Sequence, residues 1–300
     1  MNLSQLRAFH AVATWRSFSA AAQRLGVSQP AVTQHIKSLE DRLGTRLFHR
    51  GGGGAGVDLT PDGRALLPRA RQVVMMVDDI GTELEQGRRL QKGFLTLGMC
   101  APFVALPLVR RFAEQHPGVR LEIRLDNSER LLDALAASRI DAAVATVSEP
   151  RAEFVYQRLV EQRVLVLVPR QHPWAIAGAV AAEELAGTPF VLRENGSMTR
   201  RLFERGLGRI GIEVDVRLVL GSREAMKEAV ATGFGAGIVL DREVGHDSRL
   251  AAVPIAGVEM RADECLVTLP EMAELGAVRA LRLISGSLDW DREMPAAYGR

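Results

Sequence analysis

Up to about residue 84 the apolar positions follow a helical period, and beyond residue 93 they break into short runs. Over residues 4–14, Leu3, Leu6, Phe9, Val12 and Ala13 recur at helical spacing, which predicts a first amphipathic helix. Ser19 is placed to cap a second, short helix that buries Ala21, Ala22 and Leu25. Gly26 supplies a tight turn, and Val27 is expected to plug the angle between helices. Ser28 caps a third helix with Pro30 in its first turn, where a missing N–H costs little. Its Val32, Ile36 and Leu39 face inward, while Gln29, Thr33, Gln34 and Lys37 face outward. Thr60 caps a longer helix in which Leu66, Ala70, Val73, Val77, Ile80 and Leu84 alternate spacings of four and three. That is a seam of the coiled-coil kind, with packing on the chain's own body as the alternative. Gly87 and the charged stretch 88–93 read as a hinge.

From Phe94 onward, FLTLGM, VRLEIRL, DAAVATV, VLVLVP, FVLR, VDVRLVL and GAGIVL read as strands. Segments 103–115, 128–138, 199–209 and 222–232 read as helices. Alternation of this kind implies parallel sheets covered by helices. Two such units, joined by crossovers near 148–164 and 262–272, would make a clamshell. The fold class is therefore α/β overall, with an all-α N-terminal unit and a long linking helix.

Composition sharpens this division. The formal net charge of +2 hides ten Lys+Arg against four Asp+Glu in residues 1–74, and 28 against 32 in the rest. A basic head on a mildly acidic body points to a polyanionic partner for the head alone. Cys100 and Cys265 form no disulfide framework and carry no metal-ligand spacing. No run reaches the roughly 18 apolar residues needed to cross a bilayer. The N-terminus lacks a signal-peptide pattern, so a cytoplasmic protein is expected.

A short helix pair with a glycine turn can lay its second helix in the DNA major groove. Gln29, Thr33 and Gln34 are then candidates for base edges, with Pro30 and Ala31 near thymine methyls. Ser28, Lys37 and Arg50 suit phosphates. The residues LRAFHAVATWRSFSAAAQRLGVSQPAVTQHIKSLEDRLGTRLFHR, followed by LTPDG at 59–63, closely resemble the winged helix-turn-helix head of LysR-type transcriptional regulators. The resemblance implies a head at 1–58 (reading unit about 18–37), a linker helix at 59–89 and an effector domain at 90–300. That domain would be two-lobed, akin to periplasmic binding proteins. Lobe I would span about 94–160 and 271–300, and lobe II about 164–268. It further implies a homodimer through the linker helix, a homotetramer, double-stranded DNA and RNA polymerase as partners, and no membrane. One departure stands out: the wing tip at 51–56 is glycine-rich where relatives often carry arginines.

Open α/β sheets bind ligands beyond the carboxyl ends of their strands. That rule selects Cys100, Ala101, Pro102 and Phe103; then Ser128 after Asn127; then Thr146 and Ser148. The richest loop holds Arg193, Glu194, Ser197, Met198 and Thr199, which follow a strand and open a helix able to hold an anion. Plain capping by Ser197, Ser128 and Ser222 is the alternative, and Phe103 and Met198 could equally be core. Glu194 could pair with Arg193 or Arg200, or meet a ligand ammonium. LDNSERLLDAL, PRQHPWA, RENGSMTRRLFERGL, GSREAMKEAVATGFGAGIV and EVGHDSRLAAVPI resemble members associated with aminoethylphosphonate catabolism. The expected effector is thus anionic or zwitterionic, with 2-aminoethylphosphonate as a candidate. The six histidines show no metal spacing, no nucleophile motif surrounds Cys100, and neither catalysis nor a cofactor is expected. A DNA-architectural protein without ligand sensing is the remaining alternative.

Overall fold

The computed structural model describes residues 1–49, 57–83, 93–274 and 276–293, excepting the side chains of 78–83. Arg50, the glycine-rich wing tip, the side chains at the 80–84 end of the seam and the hinge before Gly93 lie outside the described residues. The head consists of α1 (Leu3–Trp15), α2 (Phe18–Leu25) and α3 (Gln29–Leu43). Phe9, Val12, Ala21, Val32 and Leu39 are fully buried between them. Gly26 takes the left-handed backbone that lets α2 turn sharply into α3 (φ +67°). Two details differ from expectation. Ser17, not Ser19, caps α2 by accepting from the Ala20 N–H at 3.2 Å, because the extended residue lies one position before the helix. Val27 does not plug the turn but stands 43% exposed; the small alanines are what the head core buries there.

Buried Glu40 fastens the end of α3 to the first wing segment, accepting from the Leu47 N–H at 2.8 Å and from Arg46 at 3.0 Å. Phe48 bridges Leu59 antiparallel beneath the wing. Thr60 then caps α4 (Pro61–Glu83) through the Gly63 N–H at 3.0 Å. Leu67, Ala70 and Val74, spaced three and four apart, seat α4 on its own head core. Val73 and Met76 remain exposed on another side. The apolar seam is therefore shared: Ala70 serves the head, whereas Val73 is left outward.

The body runs β1 (Gly93–Met99), α5 (Pro102–Gln115), β2 (Val119–Leu125), α6 (Ser128–Ala136), β3 (Ala142–Val147) and β4 (Val155–Pro169). It continues with α7 (Pro173–Ala177), β5 (Val180–Ala181), β6 (Pro189–Arg193), α8 (Met198–Gly208), β7 (Asp215–Leu220) and α9 (Arg223–Ala231). Then come β8 (Gly237–Leu240), β9 (Leu250–Val253), β10 (Ile255–Ala256), β11 (Arg261–Thr268), α10 (Gly276–Ser287) and α11 (Trp290–Glu293). The order β2-β1-β3-β11-β4-β8, with β9 also on β4, shows how two lobes share strands. β1 pairs β2 and β3 in parallel, and β6 pairs β7 in parallel. The expected crossovers prove to be strands. β4 and β11 pair antiparallel, from Val155 opposite Thr268 to Arg163 opposite Arg261, and β4 then enters the second lobe beside β8 and β9. Interspersed charges, Arg158, Glu161 and Arg163 in β4 and Arg261, Asp263 and Glu264 in β11, hid the first half of β4 and all of β11 from a reading based on apolar runs.

Each lobe has its own core. Leu95, Leu97, Val104, Leu108, Phe112 and Val144 fill the first, and α10 returns to it with Val278, Leu281 and Ile284. Val166, Val168, Phe190, Leu192, Phe203 and Ile238 fill the second. The head does not hang free of this body. Arg71 on α4 is buried and paired with Asp141 at the entry to β3, donating through Nε at 2.7 Å and to the Ser138 carbonyl. The Asp141 carboxylate also accepts from the Thr96 N–H at 2.7 Å. Trp15 packs edge-on against Phe94, with ring centroids 5.3 Å apart.

Candidate functional site

On α3, the Ser28 hydroxyl accepts from the Ala31 N–H at 3.4 Å, which fixes where the helix begins. Ser28, Gln29, Pro30, Thr33, Gln34 and Lys37 are exposed, and Ala31 is half-buried. Opposite them, Val32, Ile36 and Leu39 anchor the helix in the head core. Gln29 is braced rather than free: its Oε1 accepts from the Ser19 hydroxyl at 2.8 Å. The Thr33 hydroxyl donates back to the Gln29 carbonyl at 3.0 Å. These bonds hold the side chains in one orientation, yet water or a base edge can replace them without unfolding the helix.

The body candidates converge where the two lobes meet. α5, α6, α8 and α9 all begin just after the carboxyl ends of strands β1, β2, β6 and β7. Asn127 caps α6 through its Oδ1, which accepts from the Arg130 N–H at 3.0 Å, while its amide donates across the gap to Glu194 at 3.1 Å. A Cβ on Gly196 would lie 2.5 Å from that amide, so the glycine is what permits the lobes to touch. Ser148 and the Met198 sulfur meet 3.1 Å apart across the same gap. Arg193 grips Glu194 through two bonds of 2.9 Å. Burial alone would raise the Glu194 carboxyl, but Arg193 and Asn127 hold it below its usual value. Glu194 thus has its partner within the protein. Ser197 caps α8 from a buried position, and Thr199 is buried beside it.

Other candidates fall differently. Ser222 is exposed and serves as the α9 cap, accepting from the Ala225 N–H at 3.0 Å. Phe103 is not core: it is 48% exposed, with the Lys227 ammonium 5.9 Å from its ring centroid. Met198 is buried, and Ala101 and Pro102 open α5 with no side-chain cap. Ser128 and Thr146 lie deep, the serine hydroxyl accepting from the Thr146 N–H at 3.2 Å.

Beneath Thr146 lies a polar centre that the sequence reading missed. Glu264 is fully buried on β11 and accepts from the Thr146 hydroxyl at 2.8 Å, the Gln162 amide at 3.3 Å and the Cys100 thiol at 3.4 Å. A register shift between β4 and β11 falls at Glu264/Cys265, the kind of irregularity that re-aims a side chain. Burial, and then the neighbouring Glu243 carboxylate, push the Glu264 carboxyl up to about 7. Cys100 is driven to about 12 by burial and by Glu264, so its thiol stays protonated and unreactive. From the second lobe, buried Arg223 donates to the Cys100 carbonyl at 3.5 Å and to Glu243 at 2.6 Å. Burial works against the Arg223 charge, but its acidic neighbours, Glu243 foremost, together hold it above its usual value. The available signal was a Glu inside ADECLVTLP and a Gln inside VEQRVLVLVP, polar residues embedded in otherwise apolar strands. Among the described residues no cluster of His, Cys, Asp or Glu could hold a metal ion, and no helix is long and apolar enough to cross a membrane.

Known proteins share this architecture. Residues 3–64 match the family described as "Bacterial regulatory helix-turn-helix protein, lysR family", and residues 89–285 match "LysR substrate binding domain". The RuBisCO operon transcriptional regulator of Allochromatium vinosum is 31% identical, covering 80% of this chain and 79% of its own length. The regulator CfxR of Cupriavidus necator is 33% identical over 86% of this chain and 81% of its own. Among solved structures, a full-length point variant of OxyR from Pseudomonas aeruginosa superposes with a TM-score of 0.79 at 22% identity, covering 98% of this chain and 97% of that one. Full-length CbnR complexed with its target DNA gives 0.58 at 22% identity, over 94% of this chain and 100% of that one.

Proposed function

The chain belongs to the LysR family of bacterial transcriptional regulators, and from that premise we propose that a small anionic or zwitterionic metabolite controls it by bridging its two lobes. It is a DNA-binding regulator with an effector-binding domain, not an enzyme. The observation that carries the proposal is the direct meeting of polar groups across the lobes, Asn127 with Glu194 and Arg223 with the Cys100 carbonyl. In our reading Ser197, Met198, Thr199 and the main-chain N–H groups opening α8 receive the acidic end, with Cys100, Ala101, Pro102, Phe103, Ser128, Thr146 and Ser148 opposite. Arg193 and Glu194 form the pair that positions this loop. 2-Aminoethylphosphonate is the candidate ligand, supported by the local resemblances of the body and by a cleft carrying both charge signs.

In the head, Gln29, Thr33 and Gln34 read base edges, Pro30 and Ala31 lie near thymine methyls, and Ser28, Lys37 and Arg50 hold phosphates. A second copy of the chain covers the exposed Val73 and Met76 side of α4, and further body contacts complete a tetramer. RNA polymerase is the partner through which bound regulator acts. Effector binding alters transcription only as far as it prefers one lobe arrangement; a 5–150-fold preference corresponds to roughly 1–3 kcal/mol. Lobe I carries that change to the head through the buried Arg71–Asp141 pair.

The test compares promoter binding by full-length protein with and without metabolite. Gly196→Ala, which sets a Cβ against Asn127, is expected to reduce the effector response tenfold or more while basal promoter binding stays unchanged. Equal loss of basal binding in this variant, with the protein still folded, defeats the division into reader and sensor.

A further inference from the structure

We propose that the effector carries a cationic hydrogen-bond donor, a primary ammonium in its simplest form, held by the oxygens of Glu264, Gln162 and Glu243. This rests on the reading of the interlobe cleft as the effector site. The groups form one contiguous chain: Gln162 to Glu264, Glu264 to Cys100, Cys100 to Arg223, Arg223 to Glu243.

That chain has more acceptors than donors. The Gln162 side chain is fully buried; its Nε2 is used by Glu264, and its Oε1 has no partner. Glu243 is 1% exposed; its Oε1 takes Arg223, and its Oε2 has no partner. With Glu264 ionised, turning the Gln162 amide over does not remove the mismatch. It sets Oε1 against a carboxylate oxygen and leaves the NH2 group without the acceptor it now has.

Charge points the same way. Two buried carboxylates in this chain share one buried guanidinium, that of Arg223. The Lys227 ammonium is spent on the main-chain carbonyls of Glu243 and Val244, at 2.5 and 2.9 Å. The donors on Glu264, from Cys100, Thr146 and Gln162, are all neutral. An ammonium brings three donors, no acceptor and one positive charge, which is what the group lacks. Glu194, the residue the sequence offers for this role, is occupied by Arg193 and Asn127. A metal cation is the poorer occupant, since no metal-holding group exists among the described residues.

The experiment measures binding to full-length protein, by calorimetry and thermal unfolding, for matched probes with and without the amine. The pairs are 2-aminoethylphosphonate with ethylphosphonate, and β-alanine with propionate. We expect the amino member of at least one pair to bind tenfold or more tightly than its partner. Glu264→Gln should abolish that preference while the ligand-free variant unfolds at the same or a higher temperature, because a like-charge contact with Glu243 is gone. A lower unfolding temperature with the amine preference intact assigns Glu264 a purely structural role and overturns the proposal. Equal or tighter binding of the amine-free member overturns it too, and so does binding by neither member of either pair. An amine-free acid that still shifts promoter binding leaves the effector reading standing without the ammonium. Promoter binding that no probe alters counts against both.

Discussion

The outer face of α3 and the group of polar side chains between the lobes are both polar, but they are built in opposite ways. Gln29, Thr33, Gln34 and Lys37 stand exposed, and the bonds that brace the first three are short-range ones to Ser19, Gln29 and Ser38. Thr146, Gln162, Arg223, Glu243 and Glu264 are buried and bonded to residues brought together from several strands and helices. Exposed groups can be exchanged for DNA at little cost to folding, since surface changes usually fall within about 0.5 kcal/mol. Buried ones are coupled to stability, because each charge left without its partner is expensive. On the proposed reading, the head stores specificity separately from stability, and the cleft stores both in the same atoms.

The largest break in that contrast should come where the two regions join. Arg71→Ala leaves Asp141 buried and unpaired at 4% exposure, and is expected to destabilise the chain by about 3–5 kcal/mol in urea unfolding. A loss under about 1 kcal/mol would mean that head and lobe I are not held together as described.

Next comes the pH dependence of the cleft. The Glu264 carboxyl is raised from an ordinary 4.5 to about 7, so the folded state holds its proton more tightly than the unfolded chain. Stability should be greatest below the ordinary value and decline as pH rises through about 7, by roughly 3 kcal/mol in all. Glu264→Gln should flatten this slope in unfolding measurements across that range, and an unchanged slope assigns it to other groups.

Smaller effects are expected in the head. Gln29→Ala should cost about 1–3 kcal/mol of discrimination between promoter and random duplex, with stability changed by less than about 0.5 kcal/mol. A matching fall in stability would erase the contrast drawn above. Smallest of all, Lys37→Ala should weaken every duplex similarly and lower the salt slope of binding by about one phosphate contact. Titration against salt measures that slope directly, and a sequence-dependent loss would move Lys37 to a base edge.

How far the sequence could be read follows the same division. The head was legible because its signals are local: Ser28 before Pro30, Gly26 at the turn, apolar residues three and four apart. Even there, one-residue details such as the Ser17 cap depended on backbone angles that composition does not reveal. In the body, short apolar runs disclosed β1, β3, β6 and β8, whereas β11 and the first half of β4 were concealed by interspersed charged residues. The loop residues after strands were legible because a general rule of open sheets selects them. Glu264, Gln162 and Glu243 were not, because no such rule points to the middle of a strand or a 3-10 turn.

By itself, the amino-acid order determined the head helices, the linker helix and α5, α6, α8 and α9 of the body, which face of α3 stays wet, and that a basic head precedes an α/β body. Those outcomes depend on neighbours within a few positions, where periodicity and capping act. Tertiary structure alone decided that Asn127 reaches Glu194, that Arg71 meets Asp141, and that Glu264 lies in a buried polar group short of donors. Residues 67 to 102 positions apart are brought together only when strands register and lobes close, and a linear pattern carries no record of that distance.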